Sequence, residues 1–215
     1  MELGLALPQY DYPVAGQGAV EWPTLARWAR AAEACGFSSV WLSDHLFVSL
    51  ANLGGPPERC GGFEPLTALA GLARVTTRVR IGTLVLNAMT RPPGVLAKAL
   101  ATLDQLSGGR LVVGMGAGRH AAELEAAGLP SEPVQARVEK LAEAVTVLRG
   151  AMEGSFFSFA GRHYRVEGMR TRPLPVQRPS PPIWIGGGGD RLLAVVARHA
   201  DGWDGSAWGA GLEHY

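Results

Sequence analysis

This sequence has almost no excess of charge: twenty basic residues stand against nineteen acidic ones, for a formal charge of +1. With no basic stripe, neither nucleic acid nor an anionic membrane is expected as a partner. Long apolar runs are missing too. Nothing approaches the roughly 18 residues needed to span a bilayer. The opening MELGLALPQY lacks the basic region and apolar stretch of a signal peptide, so a cytoplasmic protein is expected. Cysteine is scarce: Cys35 and Cys60 fall in no metal-ligand spacing. Cys35, in a helical pattern beside Gly36, reads as a small buried thiol. Cys60, in PPERCGG, reads as a loop residue.

What is present suits one compact domain: 215 residues, 47% hydrophobic and 18% charged. Apolar runs alternate with helical patterns. LGLALP, SSVWLSDH, VRIGTLVLN, RLVVGMGAG, PPIWIGGGG and DGWDG read as six strands. Helical patterns follow at 22–35, 65–76, 94–106, 120–127, 134–150 and 191–200. This alternation, with near-continuous apolar strands, predicts a parallel sheet covered by helices. No glycine-rich phosphate fingerprint follows the first strand, where ALPQYDYP stands instead. That argues against a doubly wound dinucleotide fold and for a TIM (β/α)8-type barrel, α/β in class. About six strand–helix units are present against the eight of a closed barrel, so the barrel is expected to be incomplete. Residues 1–215 are expected to form a single barrel domain, with a hairpin insertion around 155–180 whose arms flank Ala160-Gly161.

In such barrels chemistry comes from the C-terminal ends of strands. Those ends carry Gln9, Asp44-His45, Asn87, Gly116 to His120, Gly186 to Gly189 and Asp204, whereas strand starts carry little. A buried strand that gives way to Ser43, Asp44 and His45 suits an active-site mouth. Imidazole changes charge near neutral pH, so His45 could exchange a proton with a bound molecule. Asp44 would orient it or bond a cofactor; alternatively Asp44 caps a turn and His45 is a loop residue. Glycines in GMGAG and IGGGG let backbone approach a ligand closely, and two such loops point to a phosphate-bearing cofactor. Arg119 could neutralise a phosphate or be solvated. Trp22, Trp28, Trp41 and Trp184 read as packing residues, and Trp203 could line the pocket. His163, His199 and His214 receive no role. No metal site is expected, because no His-x-His pair or carboxylate cluster occurs at the strand ends.

Three stretches, GFSSVWLSDHLF, RVRIGTLVLN…GRLVVGMGAGRHAAELEAAGLP and FSFAGRHYRVEGM…PPIWIGGGGDRLLAVVARHADGWD, resemble the bacterial luciferase-like superfamily. They are most similar to its deazaflavin (coenzyme F420) oxidoreductase branch. The resemblance implies a barrel holding a flavin-type ring at its C-terminal mouth, with Asp44 and His45 beside the ring. It implies a cis peptide at Leu84-Val85 beneath the ring, with Asn87 next to it. It also implies that Gly116, Ala117, Gly118, Gly186, Gly187 and Gly188 hold the phosphate. Where some relatives carry a glutamate after the fourth-strand glycines, this chain has Arg119. Relatives continue into two further strand–helix units, and a homodimer is possible. The function implied is hydride transfer between a small organic substrate and F420. The alternatives are an FMN-dependent luciferase-like monooxygenase and a non-catalytic flavin-binding barrel.

Overall fold

A computed structural model describes residues 2–11, 20–49 and 59–205. The elements run β1 (Gly4–Ala6), α1 (Trp22–Ala34), β2 (Ser39–Leu42), β3 (Phe47–Ser49), β4 (Arg59–Gly61), α2 (Pro65–Val75), β5 (Arg80–Thr83), β6 (Leu86–Asn87) and α3 (Pro93–Ser107). They continue with β7 (Leu111–Gly116), α4 (Ala121–Ala126), α5 (Val134–Met152), β8 (Phe157–Ala160), β9 (Arg165–Met169), β10 (Ile183–Gly186), α6 (Asp190–His199) and β11 (Gly202–Asp204).

Six strands pair in parallel in the order β1-β2-β5-β7-β10-β11, and β6 pairs with β7 beyond the end of β5. The sheet is a curled half-barrel, as the strand–helix alternation predicts. Residues of β2 and β7 are buried throughout, which is why those strands read as unbroken apolar runs. Helices cover the sheet through small and aliphatic faces: Leu25, Ala26, Ala29 and Ala32 of α1, and Leu96, Ala97, Leu100 and Ala101 of α3. These residues recur at three- and four-residue spacing, so each helix presents one apolar stripe. Proline sits in the first turn of α1, α2 and α3, where its missing N–H costs nothing. At its far end α3 stops at Gly108, whose left-handed φ of 67° suits glycine.

The third predicted strand is two strands, β5 and β6, separated by a cis Leu84–Val85 peptide. Beside that break the Thr83 hydroxyl bonds both the carbonyl and the N–H of Gly114, at 2.8 and 2.9 Å. A side chain thus stands in for ladder bonds that the bend removes.

Several placements differ from the sequence expectations. Cys35 is exposed, because α1 ends at Ala34 and Cys35 is its C-cap. Cys60 is buried and belongs to β4, which pairs antiparallel with β3 in a ribbon the sequence did not reveal. Trp22 and Trp28 are 36% and 38% exposed. Trp22 nevertheless packs, lying across Gly71 of α2. Trp41 and Trp184 do pack together, with ring centroids 5.4 Å apart. Gly4 and Gly82 make room for the first indole, and Gly202 for the second. The insertion is an antiparallel hairpin of β8 and β9. His163 lies in it, 3.0 Å from Glu139. His214 falls outside the described residues.

One carboxylate ties α1 to the loop before β5. Glu33 accepts from the backbone N–H groups of Thr77, Arg78 and Val79 at 2.9, 2.6 and 3.0 Å, and from the Thr77 hydroxyl. Burial alone would raise its pKa, but these donors outweigh burial and bring it down to about 2. A depressed carboxylate pKa contributes stability above the ordinary carboxylate range, and that stability is lost as pH falls toward about 2. Glu33→Gln is therefore expected to cost about 1–3 kcal/mol at neutral pH. It should also flatten the acid limb of a pH–stability curve. Denaturant melts of the parent and Glu33→Gln between neutral and acid pH check both.

Candidate active site

All the parallel strands end on one face, and the predicted rim residues follow them. After β1, the buried Gln9 turns its amide onto Ser43. Its Nε2 donates to the Ser43 carbonyl at 2.7 Å, and its Oε1 accepts from the Ser43 N–H at 2.5 Å. This reciprocal clamp fixes the exit of β2, so Asp44 and His45 leave the strand in a defined direction.

The two residues then part. Asp44, whose side chain is 3% exposed, faces Arg91, with Arg91 Nη1 at 2.6 Å and Nη2 at 3.1 Å from its two oxygens. The Asn87 N–H donates to the same carboxylate at 2.9 Å. Arg91 also reaches Glu64 at 2.7 Å. Desolvation alone would lower the guanidinium pKa, but Asp44 and Glu64 outweigh it and raise it. Of the roles open to Asp44, the hydrogen bonds run to Arg91 and Asn87 and not to the imidazole, so the carboxylate locks the β2 exit to β6 and to the start of α3. In this buried bidentate pair Oδ2 accepts from Arg91 and the Asn87 N–H, and Oδ1 from Arg91 alone.

His45 is held by a residue that no sequence motif singles out. Its Nδ1 lies 2.7 Å from Oε1 of Glu123, a carboxylate on α4 whose side chain is 6% exposed. A carboxylate at Nδ1 selects the tautomer with that nitrogen protonated and leaves Nε2 as the working atom. Nε2 has no hydrogen-bond partner among the described residues. The His120 ring meets the His45 ring edge-on at 5.2 Å, and the Tyr10 ring lies 6.4 Å away. Burial raises the pKa of Tyr10, with the charges of Glu123 and Asp44 adding to it against a hydrogen bond with Ser43. Desolvation and then His45 lower the pKa of His120, with Arg119 adding to them and Glu123 opposing. Glu123 sits three residues past His120 in the first turn of α4. That spacing was visible, but its pairing with a residue 78 positions away was not.

The glycine loops lie on the same rim. Asn87 pairs with Gly116 in register, and a side chain on Gly118 (φ 72°) would strike the Asn87 amide. Ala117 is half-buried against the core. Val85 fills the space between strands: a methyl on Gly116 would stand 2.7 Å from its Cγ2, and one on Gly186 2.8 Å from its Cγ1. Gly116 and Gly186 are thus needed for packing. Leu84 is half-buried beside them. The Gly187 N–H is engaged by the Asp204 carbonyl at 3.1 Å, and the Gly187 carbonyl accepts from the Trp203 indole at 2.8 Å. Gly188 is different: a side chain there would meet no described atom within 4 Å. Asp204 ends β11 beside Gly186, and burial raises its pKa. Arg137 of α5 bonds the Gly118 carbonyl, and its buried Nε finds no acceptor among the described residues.

A separate groove of ≈ 580 Å³ runs between α3 and the hairpin, lined in part by Pro92, Val95, Lys98, Tyr164 and Met169. It contains none of the predicted site residues. No described helix is long and apolar enough to cross a membrane.

A curled parallel half-barrel with helices over its sheet, its strand ends gathering an imidazole–carboxylate pair and two glycine loops, is of the α/β barrel class. The luciferase-like monooxygenase family profile matches residues 1–215, and the chain belongs to that family. An F420-dependent glucose-6-phosphate dehydrogenase of Amycolatopsis mediterranei is 31% identical over 194 residues, which is 89% of this chain and 55% of that protein. The chain spans about half the length of the curated relatives it matches. The F420-dependent tetrahydromethanopterin reductase of Methanopyrus kandleri superposes with a TM-score of 0.74 at 23% identity, over 94% of this chain and 55% of that one. The oxygenating constituent of 3,6-diketocamphane monooxygenase from Pseudomonas putida, solved with FMN, gives 0.68 at 19% identity, over 87% and 51%. These last two likenesses concern the fold.

Proposed function

We propose that this chain forms the F420-binding half-barrel of an oxidoreductase that moves a hydride between a small organic substrate and the deazaflavin. The observation that carries this reading is the His45–Glu123 pair, at 2.7 Å, on the same rim as the open Gly188 loop. When bound, the deazaflavin supplies the carbon that accepts or releases the hydride. The 31% identity to a protein named for F420 favours that cofactor over FMN.

The residues present fit such a group. Gly188 gives open space beside backbone, and Arg137 offers a buried N–H with no acceptor among the described residues next to Gly118. Gly118 and Gly188 with Arg137 would hold the phosphate end. Leu84, Val85 and Asn87 would lie under the ring, on the strand ends between the two glycine loops. His45 then takes, at Nε2, the proton that accompanies hydride removal from a substrate, and returns it in the reverse direction. Glu123 stabilises the imidazolium that results. Asp44, fixed on Arg91 and the Asn87 N–H, locks the exit of β2 and takes no part in the proton exchange.

Parallel titrations with F420 and FMN, read by quenching of protein or cofactor fluorescence, test the cofactor. Saturable F420 binding at least tenfold tighter than FMN binding is expected; the reverse order would move the chain to the FMN-dependent monooxygenase reading. Gly188→Val should leave the melting temperature within about 2 °C, because the side chain enters open space. It should weaken F420 binding by about 10- to 100-fold, about 1.4–2.8 kcal/mol of lost contact and added clash.

A further inference from the structure

We propose that His45, His120 and Glu123 form a binding site for a divalent transition-metal ion of the zinc type. One ligand atom from each residue lies within 4.8 Å of the other two. The set is two imidazoles and one carboxylate, the donors that zinc and its neighbours in the first row accept. In a tetrahedral site with bonds of about 2.0–2.1 Å, ligand atoms stand roughly 3.3 Å apart. Closing the cluster onto an ion therefore needs only small side-chain rotations.

The three residues are held where such rotations suffice. His120 is the N-cap of α4 and Glu123 lies in its first turn, so a three-residue spacing puts both on one side of the helix start. His45 arrives from the end of β2, whose exit the Gln9 clamp fixes. Glu123 is the buried floor of the cluster, and the half-exposed imidazole and the exposed one stand over it, open to an ion from solvent. The His45–Glu123 hydrogen bond uses two of the three donors. The His120 imidazole has no hydrogen-bond partner among the described residues and adds the third. Three protein ligands leave a further coordination position for water.

Metal binding is independent of the F420 reading. Its consequence for activity does rest on that reading: an ion bound to His45 competes with the proton that the imidazole would carry, so the metal would act as an inhibitor.

The test uses the full chain without cofactor, titrated with Co2+ and followed by visible ligand-field absorption, then with Zn2+ by calorimetry. One equivalent is expected to bind, with intense bands typical of low coordination number, and Zn2+ should displace Co2+. Loss of an outer-shell partner of a metal site costs about 10- to 100-fold in affinity. Removing a ligand should cost at least that, so His120→Gln and Glu123→Gln should each weaken binding by about 100-fold or more. His120 is exposed, so that variant should melt as the parent does. His163→Gln, which alters the hairpin's own histidine–glutamate pair, should bind as the parent does. Absence of the bands, or affinity unchanged in His120→Gln, would overturn the proposal. A site lost in His163→Gln but kept in His120→Gln would overturn it as well.

Discussion

Replacing His45 with glutamine is expected to lower turnover by about 100- to 10,000-fold, the usual contribution of a positioned acid–base group. Glutamine keeps polar bulk and can still meet Glu123, so the melting temperature should move little. The effect should fall on kcat rather than on F420 affinity, because the reading gives His45 a proton and not a cofactor contact. Steady-state rates with F420 as hydride acceptor, beside a binding titration of the variant, separate the two. Turnover within threefold of the parent would remove His45 from the chemistry and assign the proton to another group. Glu123→Gln should reproduce part of the loss, since an amide can still accept from Nδ1–H but cannot stabilise the imidazolium.

The second large effect concerns Asp44, and it is one of stability. Asp44→Ala removes the carboxylate that receives two contacts from Arg91 and the Asn87 N–H. Breaking one side of a buried ion pair costs about 3–5 kcal/mol, because the remaining charge stays desolvated. Arg91 retains Glu64, which places the expected cost at the lower end. For a chain of this length that is a fall in melting temperature of roughly 10 °C. Asp44→Asn should be milder, since an amide oxygen still accepts from Arg91 and Asn87. Thermal melts of both variants check the order. Equal and small shifts would mean that Asp44 is not a structural lock.

The pairing of Asp44 and His45 in the sequence is thus misleading about their partnership. Both lie beyond the end of β2 at Leu42, and there neighbours in the chain acquire different neighbours in space. The strand ends were legible because parallel strands buried on both faces show up as apolar runs that stop abruptly at polar residues. Those stops marked His45, Asn87, Gly118 and Asp204. The partners were hidden because they lie 34 to 78 residues away along the chain: Gln9 for Ser43, Arg91 for Asp44, Glu123 for His45. Gly116 and Gly186 illustrate a second kind of concealment. Their lack of a side chain reads equally as a cradle for phosphate or as space for a neighbour, and only packing shows Val85 in that space. Cys35 was misplaced because helical periodicity does not reveal where a helix stops.

A crystal structure of the chain with F420 bound tests the central claim most directly. The ring should lie over Val85 with its edge toward His45 Nε2, and the phosphate should rest against the Gly118 and Gly187-Gly188 loops near Arg137. F420 seated in the groove between α3 and the hairpin, or with its phosphate away from both glycine loops, would contradict the account.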